Sequence, residues 1–153
     1  ESMWSPAVSL LQAQNFPVRY AAPKEGYRGW GGGNAIASHV AEDASKQAAC
    51  LEYLNWWNTK GPAGNMGLQG YYNAVIDATH EGLGTGSPED AYWLQGEPAS
   101  KTLNDPFGNP SIKKGDKRDG GSYEERCGNF NTWNSHMDEA DYVSQKWQEF
   151  KSA

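Results

Sequence analysis

The sequence predicts a mixed α/β fold, because a helix pattern lies between two extended stretches. Residues 1–4 are expected to end a strand, Ser5 and Pro6 suit the start of a helix, and residues 18–22 alternate as a strand does. This order favours parallel strands with a crossover helix. Helical patterns also outnumber convincing strands along the rest of the chain.

Length and charge narrow the class of protein. The chain has 153 residues, enough for one ordinary domain, and a formal net charge of -6. A nucleic-acid-binding surface needs clustered positive charge, so no nucleic-acid partner is expected. Seven Trp and eight Tyr suit either a binding surface or an ordinary core.

The middle of the chain predicts helices separated by clear breaks. Asp43 suits the cap of a helix that runs to about Asn58, and the Lys-Gly-Pro triplet at residues 60–62 ends it. Another helical turn or two is predicted at residues 63–69. Gly70 then breaks the chain before a short helix at about residues 73–80.

The C-terminal part predicts a flexible joint at residues 82–86, a short helix capped by Ser87, and a long ordered loop at residues 97–128. Ser135 is the expected cap of a final helix. One apolar stripe is predicted along that helix, formed by Met137, Ala140, Val143, Trp147 and Phe150.

The stretch at residues 18–37 is the first candidate for a binding site. The strand ends at Pro23, a turn follows, and Tyr27 and Trp30 precede three consecutive glycines. A second short apolar run at residues 35–37 is expected to be a strand leading into a helix. Aromatic side chains at such a bend form either one wall of a small-molecule cleft or an ordinary surface turn.

Several motifs in this order resemble a known family. They are the Ser-Met-Trp-Ser-Pro segment at residues 2–6, the Pro-Lys-Glu-Gly turn at 23–26, the Ala-rich helix at 44–57, the Gly-Tyr-Tyr turn at 70–72, and Trp133-Asn134 before the last helix. The chain resembles the C-terminal half of extracytoplasmic solute-binding proteins of ABC importers, in particular the spermidine/putrescine-binding-like group. The resemblance covers most of residues 1–80 and 129–153.

The resemblance implies a type II periplasmic-binding-protein-like fold, of which this chain is the C-terminal portion. Residues 1–30 and 82–153 would belong to the second lobe, and residues 31–81 to the first, as a strand plus helices. The implied function is capture of a small organic solute between the lobes and its delivery to ABC permease subunits, outside the cytoplasmic membrane. The missing N-terminal half of the same protein is an expected partner, and no cofactor is implied.

The resemblance also implies ligand-binding residues. Trp4 and Trp30 correspond to aromatic positions that pack on the ligand, and Asn134 to a polar pocket residue. Tyr71 or Tyr72 is expected to line the cleft, and core packing is expected for at least one of them.

Two residues near Trp30 bear on the ligand. Polyamine binders carry an acid two residues after the second pocket Trp, but here that position is Gly32, which cannot neutralise an ammonium group. A polyamine is therefore not the expected ligand. Arg28 would suit a ligand carboxylate, or it is a solvated surface charge.

The sequence gives little indication of catalysis or metal binding. His39, His80 and His136 are scattered, no metal or nucleophile motif is present, and we expect no enzyme activity. Cys50 and Cys127 suit either a disulfide or free thiols.

Two alternative functions remain open at this stage. One is a self-contained, aromatic-rich carbohydrate-binding module, which would be mainly β. The other is an interaction or structural domain without a small-molecule ligand.

Overall fold

The computed structural model describes residues 4–133 and 139–152, and within these ranges helices and short strands are mixed along the chain. The helices are α1 (Ser5–Ala13), α2 (Ser38–Ala41), α3 (Ala44–Trp57), α4 (Lys60–Leu68), α5 (Ile76–Leu83), α6 (Pro88–Trp93), α7 (Tyr123–Gly128) and α8 (Ala140–Ser152). The strands are β1 (Tyr27–Gly29), β2 (Leu103–Asn104), β3 (Pro110–Ile112) and β4 (Phe130–Trp133).

Of the residues that the structure describes, 48% are helical and 8% are in strands. The predicted mixed α/β class is therefore confirmed at this coarse level. The mainly β architecture that a carbohydrate-binding module would require is not what the described residues form.

The strands form two small sheets. β1 and β4 pair in parallel, with Tyr27 opposite Phe130 and Gly29 opposite Trp133. β2 and β3 form an antiparallel hairpin. The parallel pair joins two segments that are far apart in sequence, so the ends of β1 and β4 meet at one edge.

The hydrophobic core lies in the second half of the chain, between α5 and β3. Its buried members are Leu83, Tyr92, Trp93, Leu94, Ala99, Leu103 and Ile112. Helices α4 and α5 pack closely beside it, because Gly64 of α4 lies against Gly82 of α5. A side chain at either glycine would separate the two helices.

Most predicted helices are confirmed, and their caps explain why. The Asp43 carboxylate accepts hydrogen bonds from the backbone N–H groups of Ser45 and Lys46 at the start of α3. Ser87 caps α6 through the N–H of Asp90. At α1 the prediction was wrong by one residue, since Trp4 rather than Ser5 occupies the cap position.

Both predicted strands in residues 18–37 are wrong. Residues 18–22 and 35–37 are irregular, and the strand of this stretch is β1. A strand needs a neighbour for its backbone hydrogen bonds, and the N–H of Val18 instead donates to the carbonyl of Phe16 at 2.9 Å. The strand, helix and strand predicted in succession are therefore replaced by a pairing of β1 with the distant β4.

The long ordered loop predicted at residues 97–128 is wrong in part, because this segment also contains the β2–β3 hairpin and α7. Asp105 organises the hairpin turn by accepting hydrogen bonds from the N–H groups of Phe107 and Asn109, both at 2.9 Å. Ser122 and Glu125 form a capping box at α7. That Ser-x-x-Glu spacing is a signal that the sequence contained.

Helices α3 and α8 present aromatic and aliphatic side chains to solvent. In α3, Leu51, Tyr53 and Trp56 are exposed. In α8, Val143, Trp147 and Phe150 of the predicted stripe are exposed, while Ser135 and Met137 lie outside the described residues. These two apolar faces are not covered by other described parts of the chain.

Within residues 4–133 and 139–152, the structure has no helix with both the length and the apolar character needed to cross a membrane.

Candidate functional site

Trp30 and Tyr71 form an aromatic pair at the end of β1. Their ring centroids are 5.5 Å apart and the planes meet at 84°, an edge-to-face arrangement. Trp30 directly follows β1 and is 45% exposed, whereas Tyr71 is half-buried. Burial raises the pKa of Tyr71, and neighbouring Tyr20 adds to the rise, so the phenol is neutral near pH 7.

The turn at Gly70 presents Tyr71 to Trp30. Gly70 has a φ of +82°, which favours glycine, and a Cβ there would lie 3.0 Å from the Cβ of Ser5. On its other side, the Gly70 carbonyl accepts a hydrogen bond of 2.9 Å from Nη2 of Arg118. The turn is therefore held between the first residue of α1 and a buried cation.

Trp4 precedes Ser5 and is 70% exposed at the start of α1. Its neighbour Ser5 lies close to Gly70, which precedes Tyr71, but among the described residues the Trp4 ring makes no ring contact with Trp30 or Tyr71. Neither Trp4 nor Trp30 is a core residue. We call Trp4, Trp30 and Tyr71 the aromatic surface.

The remaining predicted site residues are placed differently. Tyr72 belongs to the interior, because its ring meets that of Tyr123 at 4.7 Å and its hydroxyl accepts a hydrogen bond of 2.6 Å from Arg118. Arg28 is exposed on β1, opposite Thr132. Asn134 lies outside the described residues.

Arg118 is the principal residue that the sequence analysis missed. It is 7% exposed, and its guanidinium lies 4.9 Å from the ring centroid of Trp93 and 5.3 Å from that of Tyr72. Burial lowers its pKa to about 10, so it remains charged near pH 7. Arg118 lies in a run of charged residues that is typical of a solvated loop, so no sequence signal indicated its burial.

A second polar cluster centres on Asp90, which is completely buried. One carboxylate oxygen lies 2.6 Å from Nδ1 of His80, and the other accepts hydrogen bonds from the N–H of Gly86 and from Gln95. Each oxygen of the carboxylate therefore has at least one hydrogen-bond partner. The cluster therefore holds the loop between α5 and α6 in place.

The cysteines and metal-ligating side chains add no site among the described residues. Cys50 and Cys127 are both free thiols. Burial raises the pKa of Cys127, which keeps that thiol protonated near pH 7. Residues 4–133 and 139–152 contain no group of three or more His, Cys, Asp or Glu able to hold a metal ion.

The described residues also form at least two hollows away from the aromatic surface. An apolar groove of about 340 Å³ lies between residues 34–37 and α3, where Ile36, Cys50 and Tyr53 line it. A small cavity of about 50 Å³ lies between α1 and residues 117–119. Neither hollow includes Trp4 or Trp30.

Comparisons with known proteins leave the chain without an assigned family: no protein-family model, curated protein or solved structure matches it.

Proposed function

We propose that this chain is the C-terminal portion of an extracytoplasmic solute-binding protein that serves an ABC-type importer. The aromatic surface forms one wall of the solute site, and residues 1–30, 31–81 and 82–153 follow the two-lobe division of a type II fold. The observation that carries the proposal is the contact between exposed Trp30 and half-buried Tyr71 beside the carboxyl end of a parallel strand pair.

The position of this pair has a physical rationale. In open α/β sheets, ligands bind in the crevice outside the carboxyl ends of parallel strands. Trp30 lies immediately beyond β1, and β4 ends beside it, because Gly29 pairs with Trp133. Exposed aromatic faces there offer contact area to a small organic solute at little cost in conformational entropy.

The exposed apolar faces of α3 and α8 support the proposal that this chain is one portion of a larger protein. Large uncovered apolar surfaces mark contacts with another protein segment. We assign these faces to the N-terminal half of the same protein, which would complete the lobes and the site. The chain alone is then expected to bind solute weakly, since a closed site needs contacts from both lobes.

The proposed ligand is a small organic solute other than a polyamine. Gly32 supplies no counter-charge for an ammonium group, and Arg28 is exposed two residues before Trp30, available to a ligand carboxylate. The protein performs no chemistry on the solute, carries no cofactor and does not bind nucleic acid. Its partners are the permease subunits, which recognise the closed form.

A thermal-shift screen of the chain co-expressed with its N-terminal half tests the proposal. The probes are putrescine, 4-aminobutyrate, glycine betaine and maltose, which represent a diamine, two zwitterions and a sugar. We expect a zwitterion to raise the melting temperature, because Arg28 would meet its carboxylate and the face of Trp30, rather than an acid, would meet its cation. The Trp30→Ala variant should abolish that shift, whereas Trp147→Ala, at an exposed tryptophan of α8, should retain it.

Three results would contradict the proposal. They are the absence of any shift, a shift that Trp30→Ala leaves unchanged, and binding tighter than about 1 μM (about -8 kcal/mol) by the isolated monomeric chain. A shift with maltose alone would instead favour a carbohydrate-binding module.

A further inference from the structure

The small cavity between α1 and residues 117–119 has a lining suited to an anion. Its volume is about 50 Å³, enough for a few waters or one compact polar group. Ser5, Ser9 and Gln12 of α1 supply polar groups on one side. A sugar or a nucleotide would be too large for this space.

Charge is unbalanced around this cavity. Three cationic side chains line it, Arg19, Lys117 and Arg118, against one acid, Asp119, which leaves a net charge of +2. Arg19 and Lys117 are exposed and stand at the rim, while Arg118 is buried. The excess is local, because the whole chain carries a net charge of -6.

Arg118 has no carboxylate partner among residues 4–133 and 139–152. Its hydrogen bonds go to the carbonyls of Trp93 and Gly70 and to the hydroxyl of Tyr72. Carbonyl dipoles and aromatic faces compensate a buried cation only in part. A bound anion would supply the missing counter-charge.

An unpaired donor lies in the same lining. Nε1 of Trp93 is buried and has no hydrogen-bond acceptor among the described residues. Buried indole N–H groups normally have an acceptor. Trp93 itself lines the cavity, so a small shift of the lining would let an oxygen atom bound there reach this donor.

We propose that this cavity binds one small oxyanion, a carboxylate or a phosphate, with Arg118 at its base and Arg19 and Lys117 at its rim. The site is distinct from the aromatic surface and does not depend on the proposed transport function. Because Arg118 also holds the Gly70 carbonyl, a bound anion would stabilise the turn that carries Tyr71.

Thermal unfolding of the full chain at pH 7 tests this site. Potassium phosphate and potassium acetate are titrated against potassium chloride at matched ionic strength. We expect a saturable rise in melting temperature with at least one oxyanion, since a ligand that binds only the folded state stabilises it. The salt that acts at lower concentration identifies the preferred anion.

Variants at the rim provide the specificity test without disturbing the buried cation. Arg19→Gln and Lys117→Gln should each weaken the apparent affinity by about threefold to fivefold, as expected for exposed charge contacts. Lys114→Gln is the matched control, because Lys114 is exposed in the same segment but does not line the cavity. Equal affinity in all three variants, or no saturable rise in either salt, would overturn the proposal.

A second measurement locates the anion. The indole N–H signal of Trp93 in ¹⁵N–¹H spectra should move during the titration, with the same midpoint as the thermal shift. An unchanged Trp93 signal at saturation would place the anion elsewhere and would also overturn the proposal.

Discussion

Arg118 donates a hydrogen bond of 2.9 Å from Nη2 to the carbonyl of Gly70, and this contact joins two segments that lie far apart in sequence. Gly70 precedes Tyr71, whose ring meets Trp30. A buried cation in the C-terminal half of the chain thus supports the turn behind the aromatic surface.

The Arg118→Lys variant is expected to be less stable by about 2–3 kcal/mol, because a lysine keeps the charge but cannot reach both carbonyls and the Tyr72 hydroxyl. Urea unfolding measures the loss. Arg28→Lys, at an exposed position, should change stability by less than about 0.5 kcal/mol. Similar stabilities for the two variants would show that Arg118 does not anchor the turn.

The close approach of α4 and α5 predicts opposite effects of alanine at two glycines of α4. A Cβ on Gly64 would lie 2.5 Å from the backbone carbonyl carbon of Gly82, so Gly64→Ala should destabilise the protein by about 1–3 kcal/mol. Gly61→Ala, in the same helix, meets nothing within 4 Å and should stabilise it by up to about 1 kcal/mol. Chemical denaturation of both variants checks this, and a tolerated Gly64→Ala would disprove the tight packing.

The buried Asp90 carboxylate predicts sensitivity to an isosteric change. The amide of Asp90→Asn would turn its N–H₂ group either towards the donors of Gly86 and Gln95 or towards His80. In both orientations its carbonyl is a weaker acceptor than the carboxylate. We therefore expect a loss of about 2–3 kcal/mol in the free energy of unfolding. Its neighbour Glu89 makes only a partly exposed ion pair of 3.2 Å with Lys101. Glu89→Gln should therefore cost at most about 1 kcal/mol, and differential scanning calorimetry of both variants measures the two losses. A reversed order would refute the role assigned to Asp90.

The Asp105 carboxyl is expected to make the stability of the folded protein depend on pH. Burial acts to raise the pKa of this carboxyl, but hydrogen bonds from the side chain and backbone of Asn109 and from the backbone of Phe107 and Gly108 outweigh it and lower the pKa below its usual value. Because the folded pKa is the lower one, the carboxylate contributes stability above the unfolded value. That contribution is lost as the pH falls through the folded pKa.

The Asp105→Asn variant tests whether folding lowers the pKa of Asp105. Its stability deficit relative to the natural chain should be constant near neutral pH and should shrink as the pH falls below about 4. Urea midpoints measured across this range give the deficit, and Asp141→Asn on the exposed α8 serves as control. A deficit that grows on acidification would mean that the pKa shift has the opposite sign.

The helices followed from local signals. Asp43 before α3 and Ser87 before α6 are capping residues whose hydrogen bonds close within three positions, so their role is visible in the sequence. The Ser122 capping box at α7 is equally local and was overlooked within a segment rich in glycine. The sequence predicted the apolar stripe on α8, but it did not predict that this stripe would face solvent.

The positions of the strands and the buried cation did not follow from local signals. Residues 18–22 have strand character but belong to neither sheet that the described residues form, whereas Tyr27–Gly29 forms a strand because Phe130–Trp133 lies beside it. Arg118 looked like a solvated charge and is instead enclosed by Tyr72 and Trp93.

The sequence by itself determined the mixed class and most helices, and it proposed Trp4, Trp30 and Tyr71 as candidate site residues. Only the tertiary structure decided which strands exist and that the rings of Trp30 and Tyr71 are in contact. It also decided that Arg118 is buried and binds the Gly70 carbonyl, next to Tyr71. The reason is physical: helix caps are satisfied by groups within one turn, whereas strand pairing, ring contacts and charge burial depend on groups that only folding brings together.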